Sequence, residues 1–364
     1  MQQVCCGAGA ARVLITGSRG YLGRMISRFL RDQGHTICGL DMGYYNDVVR
    51  NIVGGNDVGG NYVEPVLDGG IHQKKDVRDV TVEDLRGYDA VIHLAALSGD
   101  RLGELDPKWI EQINLEGSLH LAYVARQAGV SRFLYASSCE VYGAAGPQKV
   151  SEYTLPEPAT DYAVAKVKTE EGLDRLASYD FSPVYMRCAR AYGWGPQMRF
   201  DAGLNRMVAS ALATRQIPLA NAERWTALVH IEDIARAFEA ALKAPREAVH
   251  NEAFNIGAES ENYQCGELAE LVSREIAGAT VVGESASADD SSDCRVHFHK
   301  IRRQVPSFEP RWTAQQGIAE IRKMLEQAGL RGIGVEHARV KQLRNLLAAG
   351  ALDEKLRWKN EVAA

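Results

Sequence analysis

Arg12-Val13-Leu14-Ile15-Thr16-Gly17-Ser18-Arg19-Gly20-Tyr21-Leu22-Gly23 is a short apolar run that ends in a glycine-spaced turn, with an amphipathic segment directly after it. This reads as strand, loop and helix. Gly17, Gly20 and Gly23 fall three apart. The first glycine permits the tight turn, the second lets backbone approach a phosphate, and the third lets the helix pack on its strand. The helix N-terminus then offers free N–H groups and partial positive charge to a pyrophosphate. Thr36-Ile37-Cys38-Gly39-Leu40 follows as the next strand and ends in Asp41. An acid there, about 20 residues on, bonds a ribose 2′-hydroxyl and repels a 2′-phosphate, which favours NAD over NADP. Two alternatives stay open: Asp41 as a strand-end turn residue, and Arg19 as a partner for a 2′-phosphate.

The 364 residues suit one large domain or two lobes sharing a cleft. Hydrophobic content of 46% fits a globular protein, and a net charge of -5 argues against a nucleic-acid surface. No apolar run is long enough for a bilayer, so no membrane partner is expected, and no charged-then-apolar leader is seen. The seven cysteines are scattered without metal-ligand spacing, which predicts no metal and reduced thiols in a cytoplasm.

Residues 1–11 read as a disordered lead-in. The Gly- and Asn-rich stretch 43–70 reads as a surface excursion or a lid over the adenosine. Thr81 caps a short helix, and 90–96 reads as a buried strand whose small final residues admit a cofactor. His93 within it reads as a packed core histidine. A long helix is predicted over 109–128 and a buried strand over 132–137. Alternating strands and helices predict an α/β fold: a Rossmann-type, doubly wound parallel sheet with ligands at the carboxyl ends of its strands.

Thr160 or Asp161 caps a helix running to about Tyr179. On it, Tyr162 and Lys166 are four apart and share a face. A phenol with a pKa near 10 is a poor base at pH 7. A neighbouring ammonium and an oxidised nicotinamide favour phenolate, which takes a hydroxyl proton as the same carbon is oxidised. A serine at the preceding strand end can bond that hydroxyl. By itself, a Tyr-x-x-x-Lys spacing equally describes a half-exposed helix face.

Together these segments resemble the extended short-chain dehydrogenase/reductase family, in its NAD-dependent nucleotide-sugar epimerase/dehydratase branch. The matching pieces are 16–23, Asp41, Asp76, His93-Leu94-Ala95-Ala96, Ser137-Ser138-Cys139-Glu140-Val141-Tyr142-Gly143 and Tyr162 to Lys166. Arg187 through Pro196, 228–235, 254–257 and 300–302 follow in the family's order. The resemblance covers about 12–330. It implies a Rossmann lobe over 12–187 and a smaller C-terminal substrate-binding lobe, mostly 188–330, with segments returning to the Rossmann sheet. A helical extension over 331–364 follows, in which Leu343, Leu346, Leu347, Leu352 and Leu356 suggest a stripe packed on the body.

The resemblance makes Tyr162 the base, Lys166 its partner and Ser138 the third group. It implies NAD held by Gly17, Arg19, Gly20, Tyr21, Leu22, Gly23, Asp41, Asp76, Val77, Leu94, Ala95, Ala96, Asn114 and Ser137, together with Tyr162 and Lys166. It implies a nucleotide-sugar held by Ser98, Tyr192, Asn205 and Arg295, with Arg190 and, in place of a family arginine where this chain has Thr226, Arg224 as further candidates, and a homodimer formed through the helices 109–128 and 160–179.

The two residues after Ser138 bear on the reaction. Relatives that eliminate water across a hexose carry Asp then Glu there, whereas simple 4-epimerases carry small residues. Here they are Cys139 and Glu140. Either Glu140 is a C5 base with Cys139 as proton-donating partner, or Cys139 packs and Glu140 is a bystander. Arg190 stands where relatives have asparagine, and either binds a phosphate or carboxylate or makes a structural ion pair. Tyr192 and Trp194 are either small-lobe core or base-stacking platforms. The main expectation is an epimerase acting through a transient keto-sugar. The alternatives are a dehydratase, a net NAD(P)H-dependent reductase, and a non-enzymatic dinucleotide sensor, which the Tyr/Lys pair disfavours.

Overall fold

Val13, Leu14 and Ile15 are at most 1% exposed because β1 (Arg12–Thr16) lies inside a seven-stranded sheet. In this computed structural model, residues 9–46, 72–98, 106–201, 203–284, 292–329 and 338–359 are described. Most of the expected lead-in 1–11 and of the 43–70 excursion lies outside them.

The other strands are β2 (Thr36–Leu40), β3 (His72–Gln73), β4 (Ala90–His93), β5 (Arg132–Ser138), β6 (Ser182–Cys188) and β7 (Glu252–Ile256). Their order is β7-β6-β5-β4-β1-β2-β3, and every pair is parallel. Parallel strands are covered on both faces, which is why they read as unbroken apolar runs. On one face, Ile26 and Leu30 of α1 (Tyr21–Asp32) pack with Ala235 and Phe238 from the helix Ile231–Lys243. On the other, α2 (Gly117–Gln127) and α3 (Asp161–Leu176) bury Leu121, Val124 and Leu173 against Leu14, Val91 and Phe133. The strand order reverses between β1 and β4, and a crevice opens outside their carboxyl ends.

Two local differences from the sequence reading shape that crevice. β4 stops at His93 instead of running to 96, so Leu94 to Ser98 form a wall. The long helix carries a π-helical stretch, Ile110–Glu116, ahead of α2. There the Asn114 carbonyl accepts from the hydroxyls of Ser118 (2.5 Å) and Thr169 (3.3 Å). Such stretches favour functional sites.

A second apolar cluster joins Leu204, Val208, Leu268, Val272, Ile318 and Ile321 around the three-stranded sheet of Arg190–Tyr192, Trp225–His230 and Asn262–Gln264. The helix Ile231–Lys243 and β7 lead back from it to the main sheet. The helix α4 (Ala338–Ala348) and the chain after it bury Leu343, Leu352 and Leu356 against Leu97, Trp109, Ile113 and Ala165. No helix among the described residues is long and apolar enough to cross a membrane.

Candidate active site

The loop after β1 is glycine for steric reasons. Gly17 has φ +69°, and a Cβ there would sit 2.8 Å from the Ala95 nitrogen. A Cβ on Gly23 would meet the Gly17 oxygen at 2.0 Å. Gly20 caps α1 without a side chain, which leaves the first-turn N–H groups to an anion. Gly17, Gly20, Tyr21, Leu22 and Gly23 line a cleft of about 280 Å³. Asp41 lines it too, and its carboxylate accepts from the backbone of Arg19 (3.0 Å) and Gly43 (2.7 Å). Burial raises the Asp41 pKa, while those two N–H groups pull it down. Arg19 lines a smaller pocket beside the cleft, with Gly20, Tyr21 and Asp41. These features suit a dinucleotide: close backbone, an uncapped helix end and an acid beside it.

The opposite wall is braced from behind. His93 bridges Thr16 Oγ1 and Ser118 Oγ, each at 2.7 Å. Ser118 gives its own proton to the Asn114 carbonyl, so His93 Nε2–H donates and Nδ1 accepts. Burial lowers its pKa to about 3, which keeps it neutral and structural, as the sequence suggested. Leu94, Ala95, Ala96 and Ser98 line the cleft. Asn114 does not. It is buried and exchanges two 2.8 Å bonds with the Leu97 backbone, so it positions this wall rather than touching a ligand. Asp76 and Val77 line the cleft, but the Asp76 carboxylate is already bidentate to Arg78 (2.9 and 2.5 Å).

Tyr162, Lys166, Ser137, Ser138 and Glu140 come together at the ends of β5 and α3. Thr160 caps α3 by accepting from Ala163 N (3.1 Å). Lys166 Nζ lies 5.3 Å from the Tyr162 ring centre and donates to the Ala136 carbonyl at 2.6 Å. Burial lowers the Lys166 pKa to about 8. The Tyr162 phenol is pushed well above its ordinary value, first by burial and then by Glu140, while Arg199 pulls it down. Burial and the Glu140 carboxylate therefore disfavour the phenolate, and the phenolate argued from sequence requires a further positive charge in the cleft. Ser138 accepts from Glu140 N (3.1 Å), capping the tight turn Cys139–Tyr142.

Cys139 and Glu140 part company on that turn. Glu140 faces the cleft, 4.0 Å from Arg190. Cys139 is turned into the core, where its thiol donates to the Arg187 carbonyl at 3.1 Å. Burial pushes its pKa well up. It is therefore not placed as a proton donor to anything in the cleft. Cys139→Ala is expected to leave kcat within about 2-fold, the lost thiol being a weakly bonded, small, buried group; a loss above tenfold in steady-state turnover would restore the donor reading.

Four more predicted contacts lie elsewhere. Tyr192 is 1% exposed and set edge-on to His230 (5.3 Å between ring centres), as core of the second apolar cluster. Asn205 is fully buried, accepting from Gly193 N (3.0 Å) and donating to the Tyr21 hydroxyl (3.1 Å). Arg224 donates to the Ser292 carbonyl (3.1 Å), and Arg295 stacks on Trp225 (4.4 Å) of the three-stranded sheet; neither lines the cleft. The cations that do line it are Arg190, Arg199, Lys75, Lys166 and Arg339. Arg199 is bidentate to Asp201 (3.0 and 2.8 Å) and donates to Ser98 Oγ at 3.0 Å. Sequence reasoning missed Arg199, Arg339, Tyr44, Tyr45 and Cys188, for which no motif spacing gave a signal. Burial pushes the Cys188 thiol up to about 12, against the pull of Lys166.

A model of the NAD dependent epimerase/dehydratase family matches residues 13–257. The UDP-glucose 4-epimerase of Corynebacterium glutamicum is 25% identical over 344 residues, covering 87% of this chain and 94% of its own. The UDP-glucuronate 4-epimerase of Thermodesulfobacterium geofontis is 23% identical, covering 84% of this chain and 93% of its own. Among solved structures, dTDP-glucose 4,6-dehydratase DesIV from Streptomyces venezuelae, with NAD and TYD bound, superposes with a TM-score of 0.74 at 22% identity, over 87% of this chain and 97% of that one.

Proposed function

The chain belongs to the NAD dependent epimerase/dehydratase family, and from that premise we propose that it is a nucleotide-sugar 4-epimerase working through a transient keto-sugar. The observation that carries this reading is the lopsided strand end. Tyr162, Lys166 and Ser138 share the cleft with the glycine loop, but the partner that a dehydratase needs beside Glu140 is a thiol buried away from it. Protonation of a leaving hydroxyl then has no evident donor at that position. The 4-epimerase names of the relatives above point the same way.

Bound NAD supplies the oxidant for a sugar carbinol and the reductant that restores it. The chain's residues do the rest. Gly17 to Gly23 and Asp41 hold the dinucleotide at the carboxyl edge of the sheet. Tyr162 takes the hydroxyl proton and returns it, with Lys166 favouring the phenolate and Ser138 orienting the hydroxyl. Arg190, held close to Glu140, offers a guanidinium group to phosphate or to a uronic acid carboxylate. The reading includes a homodimer through the outer faces of α2 and α3, where Tyr123 is 52% exposed, and a cytoplasmic setting in which the buried cysteines 38, 139, 188, 265 and 294 stay free thiols.

Glu140 facing the cleft supports one other reading, deprotonation at C5. Incubation with UDP-, dTDP-, GDP- and CDP-sugars, uronic acids included, in deuterated water separates the two by mass spectrometry. The expected product has an inverted stereocentre, unchanged formula and no deuterium. One deuterium that disappears in Glu140→Ala would make Glu140 the C5 base. Loss of water would make the chain a dehydratase. Turnover only with added reduced cofactor would make it a net reductase.

A further inference from the structure

We propose that the C-terminal segment 338–359 is a wall of the dinucleotide site and that its Arg339 binds the pyrophosphate of NAD, an inference that rests on the NAD-dependent reading above. The segment is tied to three loops that follow sheet strands. Trp109 Nε1 donates to the Glu354 carbonyl at 2.7 Å, beside the Leu97 wall. Trp358 Nε1 donates to the Met42 carbonyl at 2.9 Å, and the Tyr44 hydroxyl donates to the Leu356 carbonyl. Arg78, the partner of Asp76, donates to the Lys355 carbonyl at 2.9 Å. Leu343, Leu352 and Leu356 are at most 1% exposed, so burial holds the segment down as firmly as a core element.

Arg339 is thereby delivered to the junction of two spaces. It lines both the main cleft and the smaller pocket formed with Arg19, Gly20, Tyr21 and Asp41. Its guanidinium lies 4.0 Å over the Tyr45 ring, with Nη1 3.3 Å from the Ser98 carbonyl and 3.4 Å from Ser98 Oγ. Those contacts are neutral, and among the described residues Arg339 makes no ion pair, whereas Arg199 beside it is neutralised by Asp201. A guanidinium held by an aromatic face and a carbonyl, next to the uncapped N-terminus of α1, creates a site for a compact dianion. The pyrophosphate is the part of the dinucleotide with that charge, and it belongs at this helix end.

The test is calorimetric titration of the full chain, freed of cofactor, with NAD, ADP and adenosine. Arg339→Gln is expected to weaken NAD and ADP by about 10- to 50-fold, the value of a charge-assisted bond. Arg339→Lys should recover most of that. Adenosine, which lacks phosphate, should bind all three proteins within about 2-fold, and raising salt should weaken NAD less in Arg339→Gln than in the wild type. NAD affinity within 2-fold of wild type in Arg339→Gln would overturn the assignment while leaving the NAD-dependent reading intact. An equal loss for adenosine would also overturn it, because a merely structural arginine acts on the whole site. Failure of the wild type to bind NAD would remove both readings.

Discussion

Tyr162→Phe is expected to lower turnover by about 10³-fold, within the range that general acid–base catalysis supplies, while NAD affinity stays within a few-fold. The phenol lines the cleft with Ser138 and Lys166, and in the proposed mechanism it is the group that exchanges a proton with a sugar hydroxyl. Removing one oxygen leaves the ring, the packing of α3 and the Lys166 bond to the Ala136 carbonyl in place. The loss should therefore appear in kcat more than in KM or in cofactor binding. The pH profile gives an independent sign. Lys166 is lowered to about 8 by burial, so its ammonium is lost as pH rises through that value. Wild-type kcat should decline on that alkaline side, and the residual rate of Tyr162→Phe should not follow it. A full rate in Tyr162→Phe would transfer the proton chemistry to another residue and undo the proposed mechanism.

Glu170→Ala should be the most destabilising single change near the site, at about 3–5 kcal/mol, the usual cost of breaking a buried ion pair from one side. Glu170 and Arg187 meet at 2.6 Å with both side chains under a tenth exposed. Ser137 donates to Glu170 at 2.5 Å, and Arg187 donates to the Tyr142 hydroxyl at 3.0 Å. Tyr142 in turn donates to Asn255 at 2.7 Å. Burial pushes the Arg187 pKa down and the Glu170 hydrogen bonds raise it; without Glu170 a guanidinium still keeps its proton, so the variant buries a charge that has lost its partner. The network ties β5, α3, β6 and β7 together beneath Ser137 and Ser138. Chemical denaturation of Glu170→Ala and of the double variant Glu170→Ala/Arg187→Met measures the effect, and the double variant should recover part of the loss. Equal stability of wild type and Glu170→Ala would mean that the pair is not desolvated.

The sequence alone determined what depends on local spacing. Gly17, Gly20 and Gly23 could be read because their demands are largely local: Gly17 turns with φ +69°, and a Cβ on Gly23 would strike the Gly17 oxygen, although the close approach of Gly17 to Ala95 is made only by the folded sheet. Tyr162 and Lys166 could be read because a helix puts residues four apart on one face. The parallel sheet could be read because strands covered on both sides leave unbroken apolar runs. Tertiary structure decided what depends on direction and on distant partners. Cys139 and Glu140 are adjacent, yet one enters the core and the other the cleft, because the tight turn after Ser138 rotates successive side chains to different sides. Asn114 and Asn205 look like ligand-binding amides in sequence, but their hydrogen bonds go to Leu97 and to Gly193 and Tyr21, residues brought in from other segments. Arg339 meets Ser98 across 241 positions of chain. No periodicity encodes that contact, since it exists only once the apolar side chains of the C-terminal segment have packed against Leu97, Trp109, Ile113 and Ala165.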